Sequence, residues 1–127
     1  MTPEDVVRSW YEARSSGAHD DALELLAEHV VWHIPGRSPV GGDHRGREAI
    51  AAAFEAFRER TGETFRSQLL DLVSSPDSVV ALVRNTAQRD GRSLDSRQAL
   101  QFRIEGDKIA EIWIYIDDLY AVDAFWS

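Results

Sequence analysis

Between positions 65 and 116 the chain offers four strand-forming runs separated by nothing longer than a tight turn. The runs are 65–74, 78–89, 92–105 and 108–116. Their breaks fall at Ser75-Pro76-Asp77, Asp90-Gly91 and Gly106-Asp107, all of which is turn chemistry. Parallel neighbours need a long crossover, so strands joined this closely form an antiparallel meander.

The half before the meander reads as helical. Thr2 can cap a first helix, Pro3 suits its first turn, and Glu4 and Asp5 complement its positive end. Val6, Val7, Trp10, Tyr11 and Arg14 recur at helical spacing and give it one apolar, aromatic face; Gly17 is its stop. A second, shorter helix carries Leu23, Leu26 and Ala27 on one side. The β-rich run Val30-Val31-Trp32-His33-Ile34 ends at Pro35-Gly36. With two prolines and four glycines, 35–46 is a loop or a broken edge strand. A third helix spans 48–60 with Ile50, Ala53, Phe54 and Phe57 inward, and the aromatic tail 119–126 folds back on the domain. Three N-terminal helices followed by a long antiparallel sheet make one α+β domain over residues 1–127.

Charge narrows the partners. The 22 Asp and Glu outnumber the 14 Lys and Arg, for a formal net charge of −8. Nonspecific nucleic-acid binding and docking on anionic lipid both need a basic surplus, so neither partner is expected. The absence of cysteine excludes disulfides, thiolate metal sites and cysteine nucleophiles. The start Met-Thr-Pro-Glu-Asp lacks a signal peptide's basic and apolar segments, and no apolar run approaches the ~20 residues that span a bilayer. The expectation is a soluble, cytoplasmic protein.

Three segments carry a resemblance across nearly the whole chain. They are Leu25-Leu26-Ala27-Glu28-His29-Val30-Val31-Trp32-His33-Ile34-Pro35-Gly36, Gly42-Asp43-His44-Arg45-Gly46-Arg47-Glu48-Ala49-Ile50, and Phe102-Arg103-Ile104-Glu105-Gly106-Asp107-Lys108-Ile109-Ala110-Glu111-Ile112-Trp113. With the first helix ending at Ser16-Gly17, this order resembles the nuclear transport factor two-like superfamily. More narrowly it resembles the SnoaL-like branch, which includes polyketide cyclases. The resemblance implies a strongly curved, mostly antiparallel sheet forming a cone-shaped, barrel-like fold. It also implies an apolar cavity and a homodimer formed through the outer face of the sheet. One fold of this kind hosts many activities, so function must be argued from the site.

The site residues depart from two related patterns. Ketosteroid isomerases use a tyrosine on the first helix, an aspartate before a proline and a late acid; these fall on Trp10, Ile34 and Leu100. Ile34 cannot take a proton, though a shift of one position brings His33 or Gln101 forward. SnoaL-like cyclases pair an acid at the end of the last strand with a histidine on the strand before. The acid position matches Asp117, and the histidine position falls near Leu100 or Gln101.

Alternation separates Val31 and His33 from Val30, Trp32 and Ile34. The isomerase resemblance implies that the Ile34 face enters the cavity, which leaves His33 on the outer or dimer face. Alternation also separates Ile112, Ile114 and Ile116 from Glu111, Trp113, Tyr115 and Asp117. The isoleucine face fits the cavity and the Trp113–Tyr115 face fits a dimer contact; the opposite assignment gives a pocket lined by Trp113, Tyr115 and Asp117. The catalytic candidates are therefore Asp117, then His33. Trp10, Trp32, Asn85, Gln98, Tyr115 and His44 are candidates for substrate binding.

The leading expectation is acid–base cyclisation or isomerisation of a small hydrophobic carbonyl compound. No dinucleotide motif or metal-ligand spacing is present, so no cofactor and no metal are expected. The competing expectations are a noncatalytic ligand-binding or dimerisation module, and a limonene-type epoxide hydrolase built on Asp95, Arg97 and Asp117.

Overall fold

A computed structural model describes residues 1–127. Its elements, in chain order, are α1 (Pro3–Ser15), α2 (His19–Glu24), β1 (Leu26–Ile34), β2 (Gly42–Arg45), α3 (Arg47–Thr61), β3 (Arg66–Ser75), β4 (Ser78–Arg89), β5 (Arg92–Glu105), β6 (Lys108–Ile116) and α4 (Leu119–Trp126). The first turn of α1 is closed reciprocally. The Asp5 N–H donates to Thr2 Oγ1 at 3.1 Å, and the Thr2 N–H donates to the Asp5 carboxylate at 2.9 Å. Val6, Val7, Trp10 and Tyr11 form the buried face of this helix.

Six strands form one sheet in the order β2-β1-β6-β5-β4-β3. The meander from β3 to β6 is antiparallel throughout, as its short turns require. β1 joins it by pairing parallel to β6, which makes the sheet mixed. β2 and β3 are the two edge strands and do not pair with each other, so the sheet curls without closing. Helices α1, α3 and α4 pack on its inner face.

One boundary differs from the periodicity. Leu26 and Ala27 belong to β1 and not to the second helix. A short apolar run fits either period, and here backbone pairing decides it. Leu26 pairs with Ile109, and the Ile109 N–H donates to the Leu25 carbonyl at 2.8 Å. The Arg47 guanidinium donates twice to the Leu26 carbonyl, at 2.8 and 2.6 Å, where the β1–β6 register shifts. Within the loop-like stretch 35–46, Gly42–Arg45 forms the edge strand β2.

Strand parity divides the sheet cleanly. On β4 and β5, Val79, Ala81, Val83, Leu100 and Phe102 face inward and are buried. Arg84 and Asp95 face outward and pair through two hydrogen bonds of 2.8 and 2.7 Å. The inner face carries polar side chains at Asn85, Ser96 and Gln98, all buried.

α4 is tied down at both ends. Its Asp123 carboxylate Oδ1 accepts the N–H groups of Arg37 and Ser38 at 2.8 and 2.7 Å. Arg89 and Arg92 donate to the carbonyls of Phe125 and Ala124 at its C-terminal end, where cations complement the helix dipole.

The first tie requires glycine at position 36. Gly36 has φ +103°, and a Cβ there would lie 2.5 Å from Asp123 Oδ1. Gly91 also has positive φ but faces open space. Replacing Gly91 with Ala should cost about 1–2 kcal/mol from backbone strain alone. Gly36→Ala should cost clearly more, because Asp123 must also move. Urea unfolding of the two variants measures the difference, and equal losses would contradict the Asp123 tie.

Candidate functional site

The inner face encloses a cavity of about 40 Å³ beneath α4. Its apolar walls include Trp32, Ile34, Phe57, Leu100, Ile114, Ile116 and Trp126. Its polar wall is made of Arg14, Ser38, Ser67, Asn85, Gln98 and Asp123. As folded, the space holds a few waters. On the far side of Arg14 lies an open groove of about 690 Å³ between the C-terminal end of α1, α3 and the start of β3. Arg14, Phe57, Phe65 and Ser67 line both spaces and form the neck between them.

The isoleucine face of β6 lines this cavity, and Trp113 and Tyr115 lie on the opposite face. Tyr115 is 57% exposed, and its hydroxyl donates to the Gln101 side-chain oxygen at 3.2 Å. Trp32 is a wall residue. Trp10 lies behind it, fully buried, with the two rings edge to face at 6.2 Å. His44 sits outside the lining and is held by the Val40 carbonyl at 3.0 Å.

Asn85 and Gln98 both reach the cavity from neighbouring strands. Asn85 Oδ1 is buried without a hydrogen-bond partner. A buried amide left unpaired costs roughly 1–3 kcal/mol, so it is a feature that folding alone does not favour. Gln98 donates weakly to Ser96 Oγ at 3.4 Å, and Ser96 donates to Asp117 Oδ1 at 2.8 Å.

Asp117 is exposed at the rim and touches the cavity only through that relay. The Ser96 hydroxyl, and the N–H groups of Arg97 and Asp118, hold its carboxyl below the usual aspartate range. Asp123 is the carboxylate that lines the cavity itself. Its Oδ1 is occupied by two backbone N–H groups, and its Oδ2 makes no hydrogen bond. Sequence reasoning passed over it because the tail 119–126 reads as an apolar, packing segment. The Asp95–Arg97–Asp117 set does not converge on the cavity, since Asp95 pairs with Arg84 on the outer face.

Arg14 is the other group that sequence reasoning did not assign to the site. It is partly buried and lines both the cavity and the groove, and no hydrogen bond or ion pair holds its guanidinium. It stacks over Trp10 and Phe54, 4.6 and 4.7 Å from their ring centroids. Burial pushes its pKa down, and only the Tyr11 hydroxyl opposes that.

His33 lies on the outer face, between two acids. Its Nε2 is 2.6 Å from Glu111 and its Nδ1 is 2.8 Å from Asp43, so the imidazolium donates both N–H groups. Trp113 stacks on the ring at 5.7 Å. Arg103 bridges Glu111 to Glu105, which also receives His29.

Comparison with known proteins places this arrangement among relatives. The model of the SnoaL-like domain matches residues 7–112. Bal32a, from a soil-derived mobile gene cassette, is 40% identical, with 98% of this chain and 95% of that one covered and a TM-score of 0.94. An uncharacterized protein of Mycobacterium tuberculosis is 27% identical over 124 residues, which cover 97% of this chain and 95% of the relative. IdmH, a proposed polyketide cyclase of Streptomyces antibioticus, is 20% identical with a TM-score of 0.77 over 96% of each chain, and shares the fold.

The outer-face histidine has a pH signature. The Glu111 hydrogen bond, with Asp43 adding to it, raises the His33 pKa against the opposing effect of burial. A raised folded pKa contributes stability that is complete below the unfolded value of about 6.5 and is lost as pH rises through the folded pKa. The thermal midpoint should therefore fall between pH 6 and pH 8, and His33→Gln should narrow that fall. Scanning calorimetry at the two pH values checks it; an unchanged pH dependence in His33→Gln would contradict the ion-pair geometry.

Proposed function

The chain belongs to the SnoaL-like domain family, and from that premise we propose that its cavity performs acid–base chemistry on a small hydrophobic carbonyl compound. The reaction is proton abstraction next to the carbonyl, leading to isomerisation or cyclisation. The observation that carries this reading is the meeting, in one small apolar space, of a carboxylate with a free oxygen and two amide side chains, Asn85 and Gln98, the first with its Oδ1 buried and unpartnered. Asp123 Oδ2 is the base. Two backbone N–H groups fix Oδ1 and so aim the second oxygen without consuming it. Asn85 and Gln98 offer amide N–H groups to the carbonyl oxygen, where negative charge develops as the proton leaves. Trp32, Leu100, Ile114 and Ile116 exclude water around the enolate.

Asp117 is the alternative base. It lies outside the cavity lining and connects to it only through Ser96 and Gln98. The homodimer formed through Trp113 and Tyr115 belongs to the same proposal; it leaves the cavity on the opposite face of the sheet open to ligand.

Deuterium exchange at the α-carbon of enolisable aromatic ketones, followed by NMR in D2O, reads proton abstraction without knowledge of the product. A positioned base contributes about 10²–10⁴-fold, and Asp123→Asn should slow exchange by that order. The Asn side-chain oxygen still accepts from Arg37 and Ser38, so the thermal midpoint should barely move. Asp117→Asn should keep exchange within about threefold of wild type, a small loss for a group acting only through Ser96. The reverse ranking would make Asp117 the base. Saturable binding without exchange in the wild type would favour the noncatalytic module.

A further inference from the structure

We infer that the ligand of this cavity is an acid: a hydrophobic carbonyl compound whose carboxylate is read by Arg14 after entry through the basic groove. The inference rests on the ligand-site reading above and names the substrate class for that site. It does not depend on which carboxylate is the base.

The first ground is the state of Arg14. Its side chain is partly buried, and neither an ion pair nor a hydrogen bond holds the guanidinium; its neighbours are the rings of Trp10, Tyr11, Trp32 and Phe54. Aromatic faces attract a cation but supply no acceptor for its five N–H donors. A cation partly withdrawn from water, with no acceptor from the protein, is a donor set that an incoming anion completes. A carboxylate is the group whose two oxygens match the guanidinium fork.

The second ground is position. Arg14 stands at the neck, with one side on the groove and the other on the cavity. No hydrogen bond or ion pair holds its guanidinium away from an acid in the groove. A carboxylate held there leaves the apolar, carbonyl-bearing part of the same molecule to extend past Phe57 and Phe65 toward Asn85 and Asp123.

The third ground is the local charge. In a chain of net charge −8, the groove is lined by Arg14, Arg58 and Arg66 against the single carboxylate Glu63. Glu63 and Glu55 neutralise Arg58. Arg66 donates only to the carbonyls of Glu63 and Phe65, so its charge is unopposed. His19 adds a buried Nδ1 with no partner to the same groove.

The test compares an acid with its neutral isostere, using naphthalene-2-carboxylate and 2-acetonaphthone in isothermal titration calorimetry. A charge-assisted, two-point contact should make the wild type bind the acid about 10–100-fold more tightly than the ketone. Arg14→Met should abolish that preference and leave ketone affinity within about threefold of wild type; Arg14→Lys should keep part of it. The thermal midpoint of unliganded Arg14→Met should stay within a few degrees of wild type, because the guanidinium makes no hydrogen bond or ion pair that the substitution would break. Arg66→Glu should slow association of the acid and leave that of the ketone unchanged. Equal affinity for acid and ketone in the wild type, or a preference that survives in Arg14→Met, would overturn the inference while leaving the cavity a ligand site. A midpoint several degrees lower in unliganded Arg14→Met would mark the guanidinium as a structural plug and overturn it too. No binding of either probe to the wild type would overturn both this inference and the ligand-site reading.

Discussion

The packing of Trp10 is the constraint on which the rest of the structure depends. Its indole is fully buried and meets rings from four segments: Tyr11 on α1, Trp32 on β1, Phe54 on α3 and Phe102 on β5. Three of these contacts are edge to face, the arrangement that favours aromatic pairs beyond simple area burial. Truncating such a residue costs about 3–5 kcal/mol, a large share of a small domain's net stability. The same side chain also sets the site. Arg14 lies one helical turn further on and is stacked against that indole, so the packing that docks α1 also delivers a cation to the neck of the cavity.

The inner face obeys the usual rule for most of its length and breaks it at one place. Moving along β4 and β5, apolar positions give way to Asn85, Ser96 and Gln98 at the end covered by α4. Buried polar groups there lower stability unless each finds a partner, and Asn85 Oδ1 has none. Local departures of this kind concentrate at working sites, where the rest of the fold supplies the stability they give up. The outer face is arranged otherwise. His29, His33 and Arg103 interleave with Asp43, Glu105 and Glu111, so each charge there has its partner. The contrast between a matched outer network and unmatched inner groups is what separates structure from site.

Much of this was legible from periodicity. Alternation separated Trp32 and Ile34 from His33, and the isoleucines of β6 from Trp113 and Tyr115, because a buried sheet face fixes the parity of every strand. Which set faces inward came from the family resemblance for β1 and stayed open for β6 until the structure placed Ile114 and Ile116 on the cavity wall. Parity also explains the exposure of Asp117, which shares the outward phase of Glu111, Trp113 and Tyr115. The misassigned pair Leu26–Ala27 lies where helix and strand periods coincide over a few residues. Asp123 was not legible, because its role depends on Arg37 and Ser38, which lie 86 and 85 positions away in sequence. Arg14 was half legible. Its spacing from Val7, Trp10 and Tyr11 already placed a guanidinium on an apolar helix face; what the spacing does not reveal is whether an acid waits opposite.

A net charge of −8 opposes an anionic ligand at long range, and the distances involved remove the conflict. At physiological ionic strength the screening length is about 8 Å, so exposed acids elsewhere on the surface act weakly on a molecule already in the groove. What that molecule meets is the local field, and low-dielectric walls concentrate the charges set into them. In the groove Arg58 is cancelled by its acidic neighbours, and what persists is Arg66 near the opening and Arg14 at the bottom. Those two lie in order along the path an acid would take. The surplus of negative charge then has a different consequence: it keeps polyanions such as nucleic acid away from the surface as a whole, while one small carboxylate can still be drawn to the cation at the neck.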